Sequence, residues 1–369
     1  NIEDFCSKWG AKYDFMIVLD ADSLLAGKTM LTMARLMEAN PETGIIQAPP
    51  MCINRNSLFA RIQQFAGKVY GPIVSAGLAY WQVGDSNYWG HNAIIRVSAF
   101  IQCCGLPVLP GKAPFGGHIL SHDFVEAALI RRGGWSAWLL PELKGSYEEC
   151  PPTMIDFAIR DRRWCQGNMQ HMKILVSKGL HPVSRVHFTI GIMSYLSSPI
   201  WLTFLLVGLM IALGREFFPP VYFPEVRTLF PTWPIFDKIG TISLFVISMF
   251  MLIFPKFLGL MIYLLQNRDK KKIGGRWGAL KSVLTEIVFS ALMAPIMMMF
   301  QSKFVFDIFA GIDAGWNTQN REESGTPFRQ ALQRHFWHTA LGLATTVIVW
   351  RYAHSLFWWM LPITVGLML

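Results

Sequence analysis

The chain has 369 residues, 52% of them hydrophobic and 15% charged, with a formal net charge of +9. A mean hydropathy of +0.34 excludes an ordinary globular enzyme throughout, and part of the chain is expected to sit in a membrane. The basic residues cluster beside apolar runs and not on a separate face, so membrane topology accounts for the charge and no nucleic-acid partner is expected.

Residues 13–20 read as a buried strand that delivers Asp20 and Asp22 at its carboxyl end. Residues 28–39 read as a helix closed by Asn40-Pro41, and Ile45-Ile46-Gln47-Ala48 as another strand. This alternation predicts an α/β domain with a mostly parallel sheet, whose ligands gather outside the carboxyl ends of the strands. An amphipathic helix is expected over 57–70, with Leu58, Ile62, Phe65 and Val69 on its apolar face. Gly84 to Arg96 reads as a loop entering a short strand at 93–95. A second turn-rich loop, Leu106 to Gly117, leads to Ser121-His122-Asp123 at the head of a helix that runs to about Arg132. Tyr147 to Pro152 is turn-like, and 153–178 reads as a long helix carrying Arg160, Arg163, Trp164 and Gln166.

The apolar excess lies after about residue 187, which leaves 1–186 as a soluble domain large enough for its own core. The runs 187–213 and 239–265 each exceed the roughly 20 residues that cross a bilayer. Charges between them balance, whereas Arg268-Asp269-Lys270-Lys271-Lys272 follows the second run, with Arg276 and Lys281 beyond. By the positive-inside rule that basic loop and the soluble domain face the cytosol. The run 284–309 holds Pro295, Gln301, Lys303 and Asp307; an interfacial or re-entrant helix fits these better than a third span, which stays open. Residues 337–350 and 355–369 read as a hairpin of spans, the second cut short. The chain starts at Asn1, with no initiator Met or signal peptide, and ends inside an apolar run, so it reads as an internal stretch of a longer protein. Cys6, Cys52, Cys103, Cys104, Cys150 and Cys165 form no Cys-x-x-Cys pair and read as reduced cytosolic thiols.

Residues two apart on an extended segment point to the same side, so Asp20 and Asp22 can share one divalent cation. A hard cation held by two carboxylates completes its shell with water and substrate phosphates, which points to a nucleotide diphosphate. Asp22 or Ser23 would equally serve as the cap of the next helix. Glycosyl transfer from a nucleotide-sugar needs a metal for the leaving group, a base for the acceptor hydroxyl and a floor beneath the acceptor. Asp123 is the candidate base, although a carboxylate there also suits the dipole of the helix it begins. Arg160 and Arg163 suit a diphosphate and Trp164 offers a flat face to a sugar ring, while the same basic helix would also lie well against lipid headgroups.

Asp20-x-Asp22, then Asp123, then Arg163-Trp164, followed by spans, resembles the processive family 2 glycosyltransferases: the cellulose, chitin and hyaluronan synthases. Two departures stand out. The base motif reads Ser121-His122-Asp123, and Arg160 replaces the glutamine that opens the family's helix motif. Both fit the membrane glucosyltransferases of osmoregulated periplasmic glucan synthesis, which the chain resembles over nearly its whole length. The passages that carry this are Asn1 to Cys6, Ser121 to Glu126 and Arg160 to Asn168.

The resemblance implies a GT-A-like (Rossmann-like) α/β cytosolic domain over 1–186, truncated at its N-terminus because the family's uridine-binding aspartate would precede Asn1. An α-helical transmembrane domain over 187–369 would follow. It implies Asp20 and Asp22 as ligands of Mg²⁺ or Mn²⁺, Asp123 as base, and Arg160, Arg163 and Trp164 as donor-binding residues. Gly90-His91-Asn92 corresponds to the loop beneath the acceptor. Trp316 and Thr318 fall in the place of the gating loop over the nucleotide, where a plain connecting loop is the other reading. The implied reaction is inverting transfer of glucose from UDP-glucose onto a growing β-1,2-linked glucan at the bacterial inner membrane, with export. Partners would be the donor, the glucan acceptor, the bilayer and, where one receives the product, a periplasmic glucan-processing protein. Another processive family 2 synthase and a lipid-directed transferase are the alternatives within the enzyme class. A nucleotide-sensing channel is the alternative outside it, and the scarcity of charges in the spans counts against it.

Overall fold

The computed structural model describes residues 2–218, 237–266, 274–315 and 325–369. They fall into two compact units, Asn1–Ser197 with Gln301–Thr326, and Ser198–Phe300 with Pro327–Leu369.

The first unit contains α1 (Ile2–Trp9), β1 (Phe15–Val18), β2 (Leu24–Leu25), α2 (Gly27–Ala39), β3 (Thr43–Gln47) and β4 (Met51–Cys52). α3 (Leu58–Gln82), β5 (Ala93–Arg96), α4 (Val97–Cys103), α5 (His122–Arg132), β6 (Ser136–Leu139), β7 (Ser146–Glu148) and α6 (Met154–Ile174) follow. One sheet has the order β1-β5-β3-β6 and a smaller one the order β2-β7-β4. Successive side chains of a strand point to opposite faces. Ile45 and Ile95 therefore join Tyr88, Phe100 and Ile130 on one side. Ile46 and Ile94 join Met33 and Met37 of α2 on the other.

The larger sheet is mixed, which corrects the expectation of a mostly parallel one. β5 lies between β1 and β3 and runs antiparallel to both; only β3 and β6 run parallel there. Parallel neighbours need a crossover that returns the chain to the same end of the sheet. The loop after α3 instead starts β5 opposite Val18 and Gln47, at the carboxyl ends of its neighbours. That reversal brings the Gly90 loop to the end of the sheet where β1 delivers Asp20.

Other elements also depart from local expectation. α3 continues to Gln82, beyond the expected end at 70. Ser57 caps it by accepting the Ala60 N–H at 3.2 Å, no charged residue interrupts 69–83, and Val83 closes it in a left-handed conformation at φ 39°. β7 (Ser146–Glu148) overlaps the start of the stretch expected to be a turn, Tyr147 to Pro152, since pairing with β2 and β4 supplies what its three residues lack locally. α6 stops at Ile174; its first turn is set by Thr153, which accepts the Asp156 N–H at 3.1 Å.

Beyond α6 come α7 (Pro182–Phe217), α8 (Lys238–Gln266) and α9 (Gly275–Phe309). All three are long and apolar enough to cross a membrane, and α9 runs unbroken through 284–309 with Pro295 inside it. Within the first unit, α6 is held by Asp161, which accepts from Tyr195 Oη and Gln301 Nε2, each at 2.9 Å. Gln166 adds to this, accepting the Ala314 N–H and donating to Asp313 Oδ1, both at 2.7 Å.

In the second unit α10 (Phe328–Tyr352) and α11 (His354–Met368) pack closely, with Gly342 against Leu367 and the Thr364 carbonyl. Lys256 of α8 pairs with both carboxylate oxygens of Glu286 of α9 at 2.8 Å, so these charges among apolar helices satisfy each other. The basic loop 268–272, most of 214–238, and Trp316 and Thr318 lie outside the described residues.

Candidate active site

Gln47, at the end of β3, organises the loop that enters β5. It is wholly buried; its Nε2 donates to the His91 carbonyl at 2.9 Å and its Oε1 accepts the Trp89 N–H at 3.1 Å. Asn92, equally buried and left-handed at φ 51°, donates from Nδ2 to Ser146 Oγ at 2.9 Å and to the Tyr147 carbonyl at 3.2 Å. Its amide nitrogen thus ties the loop to β7, while Gly90 and His91 are left to face the site. Gly90 has φ 92°, and a Cβ placed on it would stand 3.5 Å from Asp123 Oδ2.

Asp20 is exposed just beyond β1, where its N–H donates to Ser23 Oγ at 3.1 Å and its carbonyl accepts the Ser23 N–H at 3.0 Å. Ser23 Oγ lies 3.3 Å from His91 Nδ1, and His91 Nε2 lies 3.4 Å from Glu148 Oε2. Asp22 is half-buried and has no side-chain partner among the described residues. Also among them, no three His, Cys, Asp or Glu side chains cluster around a point where a metal could bind. Two open carboxylates fit a cation such as Mg²⁺, which keeps waters and takes most remaining ligands from phosphate oxygens.

Asp123 lies in the first turn of α5, where its carboxylate accepts from its own N–H and that of Phe124. Burial pushes its pKa up to about 6; His122 opposes the shift, Glu126 adds to it and the two N–H groups oppose it. Glu126 is buried one turn further on and binds His122 Nδ1 at 2.9 Å. That hydrogen bond is the main reason the His122 pKa is raised, against the effect of burial. His171 of α6, wholly buried, donates from Nε2 to the Ser121 carbonyl at 3.0 Å and so fixes the entry to α5. Burial pushes its pKa down to about 4. The charges of Asp20 and Asp123 both act on buried Tyr88, and Asp20 also acts on His122.

On α6, Arg160, Arg163 and Trp164 are spaced three and four residues apart and share a face. The Arg160 guanidinium lies 4.4 Å over the Trp164 ring and 5.8 Å over that of Phe157. Its Nε is buried without a hydrogen-bond partner. Arg163 is half-buried and has no ion pair among the described residues, and Trp164 is 40% exposed. A buried unpaired donor at Arg160 and a second arginine one turn along the same helix suit a phosphate anion.

The structure therefore brings Asp20, Gly90, His91 and Asp123 around one end of the larger sheet. Arg160 and Trp164 form a second group on α6; Glu148, which lies 3.4 Å from His91 Nε2, also accepts from the Cys52 thiol at 3.7 Å, and the charge of Arg160 acts on that thiol. No side-chain contact joins Asp22 or Arg163 to either group among the described residues. Sequence reading missed Ser23, Gln47, Tyr88, Glu126 and Glu148. The usable signals were a glutamine closing a buried apolar strand and the four-residue spacing of His122 and Glu126.

Residues 15–265 match the family described as glycosyl transferase family group 2. The chain is 50% identical over 369 residues to a glucans biosynthesis glucosyltransferase H of Rhodopseudomonas palustris (strain TIE-1), covering all of this chain and 51% of that protein. The proteins of that name from Vibrio cholerae (strain O395) and Shewanella oneidensis are likewise 50% identical, over 367 and 369 residues, with 51% of each covered and the whole of this chain. The chain spans about half the length of the curated relatives it matches.

Proposed function

Because the chain belongs to glycosyl transferase family group 2, we propose that it is a membrane glucosyltransferase acting from UDP-glucose, with inversion, on a growing β-1,2-linked glucan. The product would serve osmoregulated periplasmic glucan synthesis and be exported. The observation that carries this reading is the close approach of Gly90 to Asp123, a carboxylate whose pKa of about 6 leaves it ionised near neutrality. The relatives' name, glucans biosynthesis glucosyltransferase H, supports the sugar and the product class.

In this reading Asp20 and Asp22 would hold Mg²⁺ or Mn²⁺, which when bound neutralises the diphosphate leaving group. Arg160 and Arg163 bind the diphosphate oxygens, and the Trp164 ring underlies the sugar. Gly90 and His91 form the floor under the acceptor end, with Asn92 and Gln47 fixing the loop. Asp123 takes the proton of the acceptor hydroxyl as that oxygen bonds to the donor's anomeric carbon and the bond to UDP breaks. Attack opposite the UDP inverts an α-linked donor to a β-linked product. Trp316 and Thr318 are proposed as part of the gating segment.

Residues 1–186 are proposed as the cytosolic catalytic domain and 187–369 as the region in the bacterial inner membrane. The three long apolar helices support membrane attachment. Product analysis from radiolabelled UDP-glucose in membranes carrying the protein, with Mg²⁺, tests the proposal. A β-1,2-linked glucan is the expected product; a lipid-linked monosaccharide, or a polymer with another linkage, would overturn it.

A further inference from the structure

The second half of α3 carries no charge. From Val69 to Gly84 only Ser75, Gln82 and the tyrosines bring polar side chains, whereas Arg61, Gln63, Gln64 and Lys68 mark the first half. Val69, Tyr70 and Gln82 are buried against the domain. On the other side Pro72, Ala76, Tyr80 and Val83 follow one another at four, four and three residues, with Val74 and Trp81 seven apart beside them, and all six are exposed. A Cβ added at Gly77, on the same face, would meet no atom within 4 Å. Among the described residues the face is thus apolar, continuous and uncovered. Such a face marks contact with another protein or with lipid.

Its neighbour in the same unit decides between the two. The Trp81 ring stands 5.2 Å from that of His187, and His187 Nε2 donates at 3.0 Å to the carbonyl of Asp85, just past the end of α3. His187 begins the apolar run of α7, a helix long and apolar enough to cross a membrane, and Val186, Ile190 and Met193 of α7 are exposed around it. The end of α3 is therefore fixed at the level where α7 turns apolar. Tyrosine and tryptophan gather at that level of a bilayer, with the ring at the apolar boundary and the polar tip in water.

We propose that residues 71–83 lie in the membrane interface, with the face of Val74, Tyr80 and Trp81 against phospholipid. At 1.5 Å per residue the stretch is about 20 Å long, short of the roughly 30 Å hydrocarbon core, so it lies along the surface and does not cross. Lys68 is exposed one turn before that face, where an ammonium suits anionic headgroups. The proposal draws on the apolar character of α7 and not on the glycosyl-transfer reading.

The first arm of the test is hydroxyl-radical footprinting of the protein in vesicles of phosphatidylethanolamine and phosphatidylglycerol. Tyr80 is 85% exposed in the chain and Tyr13 56%, so with no bilayer over α3 Tyr80 would oxidise at least as fast. The expected result is several-fold less oxidation at Tyr80 than at Tyr13. The second arm identifies the cover: p-benzoylphenylalanine replaces Val74 or Tyr80 in membranes carrying the full chain, and mass spectrometry reads the adduct formed on irradiation. Phospholipid adducts at both positions, and far fewer with the same label at exposed Leu31 of α2, are expected. Oxidation of Tyr80 as fast as that of Tyr13, or adducts to this chain, a second copy or another protein in place of lipid, would each overturn the proposal. Equal lipid labelling at Leu31 would do the same.

Discussion

Gly90 stands opposite Asp123 beyond the end of the larger sheet: a Cβ added at residue 90 would lie 3.5 Å from Asp123 Oδ2 and 3.6 Å from its Cβ. The distance is ordinary for packing, but in the proposed mechanism the space a methyl would fill is the one through which the acceptor hydroxyl reaches the carboxylate. Gly90 also has φ 92°, a conformation that costs a side-chain-bearing residue about 1–3 kcal/mol. Gly90→Ala should lower the melting temperature slightly and reduce transfer at least about tenfold, the effect on rate exceeding the strain on stability. Thermal melting and UDP release on one preparation check both.

Asp123→Asn should reduce transfer by about 10²–10⁴ while leaving donor affinity unchanged, since the amide keeps the shape and loses the basic oxygen. In the wild type the base must be ionised, so the rate should fall as pH drops through about 6. Rate profiles of the two proteins should differ in that acidic limb, which the variant lacks.

Arg160→Lys should weaken UDP-glucose binding. The lysine keeps the charge and loses both the planar stack on Trp164 and the fork that, in the proposed mechanism, would meet two phosphate oxygens. Loss of about 1.5–3 kcal/mol for a charge-assisted contact corresponds to about 10–100-fold in the dissociation constant. Titration calorimetry with UDP-glucose in detergent measures it.

His171 predicts a pH dependence of stability. Its pKa lies near 4 when folded, down from the ordinary 6.5, because burial disfavours the imidazolium. Protons therefore bind the unfolded form more readily, and stability present above pH 6.5 is lost as pH falls towards 4. The loss is about 1.4 kcal/mol per unit, on the order of 3 kcal/mol over that window. The melting temperature of His171→Gln should be lower at neutral pH and change less across it than the wild type's.

The extents of α2 and α5 were legible locally, from the closing Asn40-Pro41 and from Ser121-His122-Asp123 heading a helix that ends at Arg132; the expected Asp22 or Ser23 cap does not form, since Ala26 precedes α2 with no side-chain cap. The direction of β5 was not legible, because it depends on which end of the sheet the preceding loop reaches. β7 is three residues long and exists through β2 and β4, so no local run announces it. The candidate site divides in the same way. Asp20, Asp123 and Arg160 stand out by residue type and order. Gln47, Ser23 and Glu148 act through partners far off in the chain, as when Gln47 holds the carbonyl of His91. Asn92 was expected in the loop that enters β5, but its bonds to Ser146 and Tyr147 were not legible.

The most direct measurement is transfer from radiolabelled UDP-glucose with Mg²⁺ in membranes carrying the wild type or Asp123→Asn. A glucan and stoichiometric UDP from the wild type, with both lost in the variant, is the predicted result. Equal transfer by the two proteins would contradict the assignment of Asp123 as the base, and no use of UDP-glucose by the wild type would contradict the donor.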